Sequence, residues 1–148
     1  MRRIFIALAI LLALGNTAEA KNYITLESPS GNTIVDETGQ WILGPYKDLH
    51  VNYIIDFGEN YAYASFYDNG QKRYINLNTM VYLPAGYDYE FSYEYAKALT
   101  KGGFKLVKSD GTYAINDVVS AYNYCSDNLI YGKKGEFWYL YNISRSEE

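Results

Sequence analysis

Hydrophobic and polar residues alternate along most of the chain, in segments of about five residues that lie between turn signals. β-Branched and aromatic residues dominate these segments, as at Leu106-Val107. The best helix candidate runs from Glu90 to Leu99, but its aromatic residues follow a period of two better than a period of 3.6. The pattern therefore predicts an all-β protein.

Glycine and asparagine turns divide the chain at regular intervals. These residue types accept the positive φ angles that tight hairpins need. The turns come in pairs at Gly31 and Gly39, at Gly70 and Thr79, at Gly103 and Gly111, and at Gly135 and Asn142 to Ser144. Each gap of about eight residues holds one strand with its turns, so the predicted unit is an antiparallel meander of three strands.

Four linked positions also recur with a longer period of about 33 residues. An aromatic residue is followed by two small or apolar residues, two positions apart, and then by a glycine hairpin. The copies are Phe57, Ala62, Ala64 and Gly70; Phe91, Ala96, Ala98 and Gly103; and Tyr124, Leu129, Tyr131 and Gly135, with a less clear copy that begins at Tyr23. The sequence predicts a single β-repeat domain over residues 21–148, with about three and a half to four copies.

One meander cannot bury its apolar face alone, and a stacked neighbour would cover that face. We expect the copies to stack as an open solenoid or as a propeller-like array. The aromatic residue near the start of each copy is expected to lie in the core. The alanines, for example Ala62 and Ala64, would let a neighbouring layer approach closely.

The stretches 31–46, 57–87 and 91–122 resemble WG repeats, a bacterial β-rich repeat family. The similarity is carried by Ile34-Val35-Asp36-Glu37-Thr38-Gly39-Gln40-Trp41, by Phe57-Gly58-Glu59-Asn60-Tyr61-Ala62-Tyr63-Ala64 and by Phe91-Ser92-Tyr93-Glu94-Tyr95-Ala96-Lys97-Ala98. The Trp-Gly pair that names the family is replaced by Lys72-Arg73, Lys105-Leu106 and Trp138-Tyr139, so the chain resembles a divergent member. The resemblance implies a β-repeat architecture and an interaction-type function, and it supplies no catalytic residue.

The first 20 residues have the three-part layout of a secretory signal peptide. Arg2 and Arg3 precede an apolar run from Ile4 to Leu14, and small residues follow around Ala20. The run of 11 residues is shorter than the roughly 20 that a membrane-spanning helix needs. The sequence therefore predicts an extracytoplasmic protein, periplasmic or secreted, with no membrane association after cleavage.

Charge and composition narrow the function classes. Without Arg2, Arg3 and Glu19, the mature chain has 11 basic and 16 acidic residues and a net charge of −5. A chain with no basic stripe is not expected to bind nucleic acid or anionic lipid. Only one histidine, His50, and one cysteine, Cys125, are present, so no metal site and no cofactor are expected. Cys125 is expected to be a small buried residue, with an intermolecular disulfide as the alternative.

The chain has 18 tyrosines, and five pairs follow the pattern Tyr-x-Tyr. Residues two apart on a strand share a face, so each pair forms a small aromatic shelf. Such shelves are either core filling and cross-strand pairs, or an exposed binding surface. The candidate surface residues are Trp41, Tyr61, Tyr63, Tyr93, Tyr95 and Trp138.

Three function classes compete. The leading interpretation is a non-enzymatic binding module that presents a tyrosine-rich β surface to a protein or to a glycan of the cell envelope. One alternative is a small carbohydrate hydrolase with Asp or Glu residues as acid and base, and the other is an inhibitor or immunity-type protein. Asp88, Glu90 and Glu94 are close enough in sequence for a calcium site or a hydrolase pair, but carboxylates in turns are more often simply solvated.

Overall fold

The computed structural model describes residues 22–56, 59–92 and 95–144. The predicted signal peptide (residues 1–20), Phe57, Tyr93 and Glu94 lie outside the described residues. Within the described ranges the chain is all-β, as predicted. These ranges contain no helix that is long and apolar enough to cross a membrane.

The strands are β1 (Tyr23–Leu26), β2 (Asn32–Asp36), β3 (Trp41–Tyr46), β4 (His50–Asp56), β5 (Glu59–Asp68), β6 (Gln71–Asn76), β7 (Val81–Tyr82), β8 (Tyr89–Phe91), β9 (Tyr95–Thr100), β10 (Gly103–Lys108), β11 (Tyr113–Val119), β12 (Ala121–Ser126), β13 (Leu129–Lys134) and β14 (Phe137–Asn142). They form four antiparallel sheets in chain order. Sheet 1 is β1–β2–β3, sheet 2 is β4–β5–β6–β7, sheet 3 is β8–β9–β10–β11 and sheet 4 is β12–β13–β14.

Every sheet is a meander, but the predicted three strands hold only for sheets 1 and 4. Sheets 2 and 3 have four strands, so the prediction was wrong there. In each of them an additional strand precedes the predicted unit, and β4 pairs with β5 along its whole length, from His50↔Ser65 to Asp56↔Glu59. An antiparallel strand that is adjacent in the chain can join a meander by hydrogen bonds alone, and the hydrophobic pattern of the meander does not change.

The glycine hairpins lie where the sequence predicts them. Gly70 is in the turn between β5 and β6, Gly103 begins β10, and Gly135 is in the turn between β13 and β14. Gly70 and Gly135 have φ angles of 79° and 61°, which favour glycine because they bring Cβ close to the backbone in other residues. The hairpins at Gly70 and Gly135 therefore depend on the local conformational freedom of glycine.

Three apolar clusters form the core, and each draws on two consecutive sheets. The first cluster joins sheets 1 and 2 through residues such as Ile34, Leu43 and Phe66. A second cluster joins sheets 2 and 3, with Tyr63 and Val107 among its members. The remaining cluster joins sheets 3 and 4 and comprises Tyr95, Leu106, Ala114, Ile115, Val119, Ile130 and Ile143 with partly buried aromatic neighbours.

The alternation along β5 explains how sheet 2 contacts both of its neighbours. Ala62, Ala64 and Phe66 point to one face and belong to the cluster shared with sheet 1. Tyr63 lies on the opposite face, where its ring stacks on Phe91 of sheet 3 at a centroid distance of 4.2 Å. The middle of β5, residues 62–66, is thus buried on both faces, and Ser65 is the one residue there other than alanine or an aromatic residue.

The predicted role of the repeated positions holds in part. Ala62, Ala64, Ala96 and Ala98 are all buried, as expected for residues where layers approach closely. Phe91 is half-buried against Tyr63, but Tyr124 is exposed, so the expectation of a core aromatic was wrong at Tyr124. Tyr124 lies on β12, at the free edge of the last sheet, where fewer neighbouring strands cover a side chain.

Candidate functional site

A groove of about 600 Å³ lies at the end of sheet 2 that carries the β5–β6 hairpin. Tyr67 and Lys72 are directly paired across β5 and β6 and therefore point to the same face. The loop between β7 and β8 supplies the other wall. The described lining consists of Tyr67, Gln71, Lys72, Ala85, Gly86, Tyr87 and Asp88.

The loop from Leu83 to Asp88 is held by hydrogen bonds at several points. The Leu83 amide donates to the Tyr74 carbonyl (3.0 Å), and the Leu99 amide donates to the Asp88 carbonyl (2.8 Å). The Tyr89 hydroxyl donates to the Pro84 carbonyl at 2.8 Å. A loop tied in this way to both adjoining sheets presents its side chains in one arrangement, which lowers the entropy cost of binding.

Asp88 is the centre of the charged part of the groove. Its Oδ1 accepts hydrogen bonds from the Tyr74 hydroxyl at 2.7 Å and from Lys72 Nζ at 3.1 Å. The Tyr74 hydroxyl, together with Lys72, holds the pKa of the Asp88 carboxyl below its ordinary value. Hydrogen bonding with Tyr74 and Asp88 raises the pKa of Lys72. The groove therefore combines a fixed carboxylate with a fixed ammonium group.

The two groove tyrosines differ in how they are held. Tyr67 is 46% exposed, although it lies on the same face of β5 as the buried Tyr63. Tyr87 is half-buried in the cluster between sheets 2 and 3, and burial raises the pKa of the neighbouring Tyr113 to about 12. Lys105 Nζ lies 5.8 Å from the Tyr87 ring centre, within the range of a cation–π contact. Tyr87 is thus a rigid element, and Tyr67 an accessible one.

The structure does not bring the six predicted surface residues together. Trp41 in sheet 1 and Trp138 in sheet 4 are exposed, at 59% and 46%, on different sheets. Tyr63 and Tyr95 are buried, so the expected exposed surface was wrong at these two positions. Both rings fill the space between consecutive sheets, as the alternative interpretation held.

The other two predicted positions are less informative. Tyr61 is half-buried beside the cluster between sheets 2 and 3 and also lines a smaller depression of about 250 Å³ with Tyr95. Tyr93 lies outside the described residues.

Sequence reasoning missed Tyr67 as a site residue and included Tyr87 only as one of five Tyr-x-Tyr pairs. The reason for the exposure of Tyr67 is the length of β5. This strand has 10 residues, whereas β9, the central strand of the neighbouring sheet, has 6. The end of β5 extends past the covering sheet, so Tyr67 is exposed where Tyr63 is not.

The sequence left Asp88, Glu90 and Glu94 either as a possible site or as solvated carboxylates, and Glu94 lies outside the described residues. Asp88 pairs with Lys72, and Glu90 pairs with Lys97 at 3.4 Å, so two separate lysines face the two carboxylates. Among the residues that the structure describes, no group of three His, Cys, Asp or Glu side chains is placed to hold a metal ion. Cys125 is exposed, so the expectation of a buried cysteine was wrong; it lies on β12, which has only one neighbouring strand.

Comparison of the chain with known protein families, with curated proteins and with solved structures finds no match. The function is therefore inferred from the groove and the sheets.

Proposed function

We propose that this chain is a non-enzymatic, extracytoplasmic binding module whose groove between Tyr67 and Tyr87 takes a glycan of the cell envelope. The observation that carries the proposal is the composition of the groove: two tyrosines beside the amide of Gln71, the ammonium group of Lys72 and the carboxylate of Asp88. Sugar rings present C–H faces that pack on aromatic rings and hydroxyls that bond to planar polar groups. The predicted signal peptide agrees with this location.

The architecture that we propose for the module is an open stack of meanders, as in a divergent WG repeat protein. Each core cluster joins two consecutive sheets, and none of the described clusters joins sheet 1 to sheet 4. Stacked units that contact only their neighbours are the pattern of repeat proteins. A rigid stack of this kind would hold the groove at the junction of sheets 2 and 3.

The groove fits glycan binding better than glycan hydrolysis. Glycoside hydrolysis uses two carboxyl groups about 5–10 Å apart, one of them protonated. Within the described lining Asp88 is the single carboxyl group, and its lowered pKa keeps it ionised. The groove thus has binding groups without the acid that hydrolysis requires.

Tyr67→Ala should weaken glycan binding by about tenfold or more, which corresponds to roughly 1.4 kcal/mol. The substitution removes the accessible ring but leaves the buried side chains of β5, residues 62–66, in place. The measurement is a titration of the purified chain with oligomers of β-1,4-linked N-acetylglucosamine, followed by chemical shifts of the groove amides.

Asp88→Asn should weaken binding as well, while the melting temperature stays close to that of the wild type, since an exposed ion pair stabilises little.

The matched control is Tyr139→Ala, because Tyr139 is a similarly exposed tyrosine on sheet 4, away from the groove. Its affinity should equal that of the wild type. Tyr67→Phe should retain most of the affinity, since the ring remains. Equal affinities for Tyr67→Ala and the wild type, or shifts confined to other sheets, would contradict the groove assignment.

Glycan affinity should be constant between about pH 5 and pH 8. The pKa of Asp88 is lowered from 3.8 and that of Lys72 is raised from 10.5, so both groups remain charged throughout. Because the folded-state pKa of Asp88 is depressed, its small contribution to stability is present above the unfolded pKa and is lost as the pH falls through the folded pKa. Titrations at four pH values check this, and a tenfold change within that range would count against Asp88 and Lys72 as ligand-binding groups.

A further inference from the structure

The last strand, β14, exposes large apolar side chains along most of its length. Phe137, Trp138, Tyr139 and Leu140 are between 46% and 69% exposed. Successive residues of a strand point to opposite faces, so apolar groups are exposed on both faces of β14. None of its six residues is charged. Exposed apolar side chains that are grouped in this way mark an interaction site.

The outer edge of β14 also carries backbone groups without a partner strand. β14 pairs with β13 in one unbroken register, and just beyond it the Ile143 amide donates to the Asn128 carbonyl at 2.9 Å. Because bonded and non-bonded pairs alternate in an antiparallel ladder, every second residue back from Ile143 bonds to β13. Trp138, Leu140 and Asn142 therefore direct their amide and carbonyl groups away from β13. In the part of the chain that the structure describes, no strand lies on that side.

The other described edge strands each have a feature that discourages pairing with another chain. β7 and β8 have only two and three residues. β3, β11 and β12 have irregular registers, and β3 also contains Pro45. In β1, the amide and carbonyl groups of Tyr23 are bonded to the Tyr53 hydroxyl of β4, and β4 itself contains His50 and Asp56. β14 is regular, uncharged and free of proline, so it is the unprotected edge among them.

The composition of β14 determines which strand fits beside it. The side chains of an added strand would lie next to those of β14 on both faces, so that strand has to be uncharged and apolar on both faces as well. β14 of a second copy meets this requirement. An antiparallel arrangement about a two-fold axis also places the outward amides of each copy opposite the outward carbonyls of the other.

The available area is sufficient for a weak dimer. A buried aromatic side chain covers about 150–250 Å². Phe137, Trp138, Tyr139 and Leu140 are each about half exposed or more, so they offer roughly 400 Å² per copy. Two copies would bury about 800–1,000 Å² in total with the backbone edge, which is at the lower limit of specific interfaces. A contact of this size is reversible and dissociates on dilution.

We propose that two copies of this chain dimerise by antiparallel pairing of β14 with β14, centred on Leu140. In this register Leu140 lies beside Leu140 of the second copy, and Trp138 lies beside Asn142, so all three outward-directed residues gain backbone partners. The two copies of sheet 4 become one continuous sheet. Because a two-fold contact uses the same surface of both copies, association stops at the dimer. The proposal is independent of the glycan groove, which lies at sheet 2.

The first test is sedimentation of the purified chain without its first 20 residues, at roughly 10 µM to 1 mM, the range in which a weak interface dissociates. The wild type should change from monomer to dimer over this range and form nothing larger. Hydrogen exchange of the Trp138 and Leu140 amides should slow by about tenfold or more as the dimer forms, since these amides become bonded only in the dimer.

A charge exchange at Leu140 tests the register. Leu140→Lys and Leu140→Glu each place two like charges opposite each other across the two-fold axis, so each variant alone should dimerise about tenfold or more weakly. An equal mixture of the two variants should recover a one-to-one dimer, because opposite charges then meet. Leu140 is 52% exposed, so both variants should fold. If either loses its native circular dichroism, Trp138→Lys replaces it on the same edge and should weaken dimerisation.

Trp41→Lys is the matched control, since Trp41 is a 59% exposed aromatic residue of sheet 1. Its dimerisation should equal that of the wild type. A wild type that is monomeric at every concentration would overturn the proposal. So would a dimer in which the Trp138 and Leu140 amides exchange as fast as in the monomer, a mixture of the Leu140 variants that stays monomeric, or a loss of association in Trp41→Lys.

Discussion

Tyr63→Ala is expected to lower the free energy of unfolding by about 3–5 kcal/mol. Tyr63 is 1% exposed and stacks on Phe91, and burial raises the pKa of its hydroxyl. Its removal leaves a cavity between sheets 2 and 3, and a loss of this size is a large part of the 5–15 kcal/mol by which domains are usually stable. The measurement is urea unfolding followed by circular dichroism and tyrosine fluorescence.

Two variants separate the loss of the Tyr63 ring from other effects. Tyr63→Phe keeps the stacked ring and should cost less than about 1.5 kcal/mol. Tyr139→Ala deletes an exposed tyrosine and should change the free energy of unfolding by about 0.5 kcal/mol or less. If Tyr63→Ala were as mild as Tyr139→Ala, the packing of sheet 2 on sheet 3 would be wrong.

Gly44→Ala is expected to lower the free energy of unfolding by about 3 kcal/mol, because two costs combine at this position. The φ angle of Gly44 is 107°, which residues with a Cβ rarely adopt. A Cβ built there would also lie 2.5 Å from the Asn32 carbonyl oxygen and 2.9 Å from Thr33 Cα. Both atoms belong to the backbone of β2, so relief requires the β2–β3 pairing to shift.

Gly39→Ala is the matched control for Gly44→Ala. Gly39 lies in the preceding turn and also has a positive φ of 82°, but a Cβ there meets no atom within 4 Å. Its substitution should cost about 1 kcal/mol, the conformational term alone. Thermal and urea unfolding of both variants give the comparison, and equal costs would mean that the close approach at Gly44 does not constrain sheet 1.

The number of strands per sheet is a feature that the sequence pattern predicted only in part. Hairpin turns at Gly70 and Gly135 follow from the conformational freedom of glycine, which is a local property. The fourth strands of sheets 2 and 3 were not predicted, since nothing in an alternating segment such as His50–Asp56 says on which side of a unit it pairs. Pairing depends on which partner is nearest after the chain has folded back.

The candidate site also depends on burial that the sequence pattern could not predict. Tyr63 and Tyr67 are both tyrosines of β5, on the same face, yet one is buried in the core and the other lines the groove. The alternation along the strand predicts the same burial for both side chains. The difference arises because sheet 3 covers only part of β5.

Short strands, glycine turns and alternating faces were determined by the sequence itself, because each depends on the backbone and side-chain preferences of a few adjacent residues. The tertiary structure alone decided which side chains are covered, and with them the groove at Tyr67 and the exposure of Trp41 and Trp138. Coverage depends on the lengths and positions of sheets that are distant in the chain, and these are set by packing between whole layers.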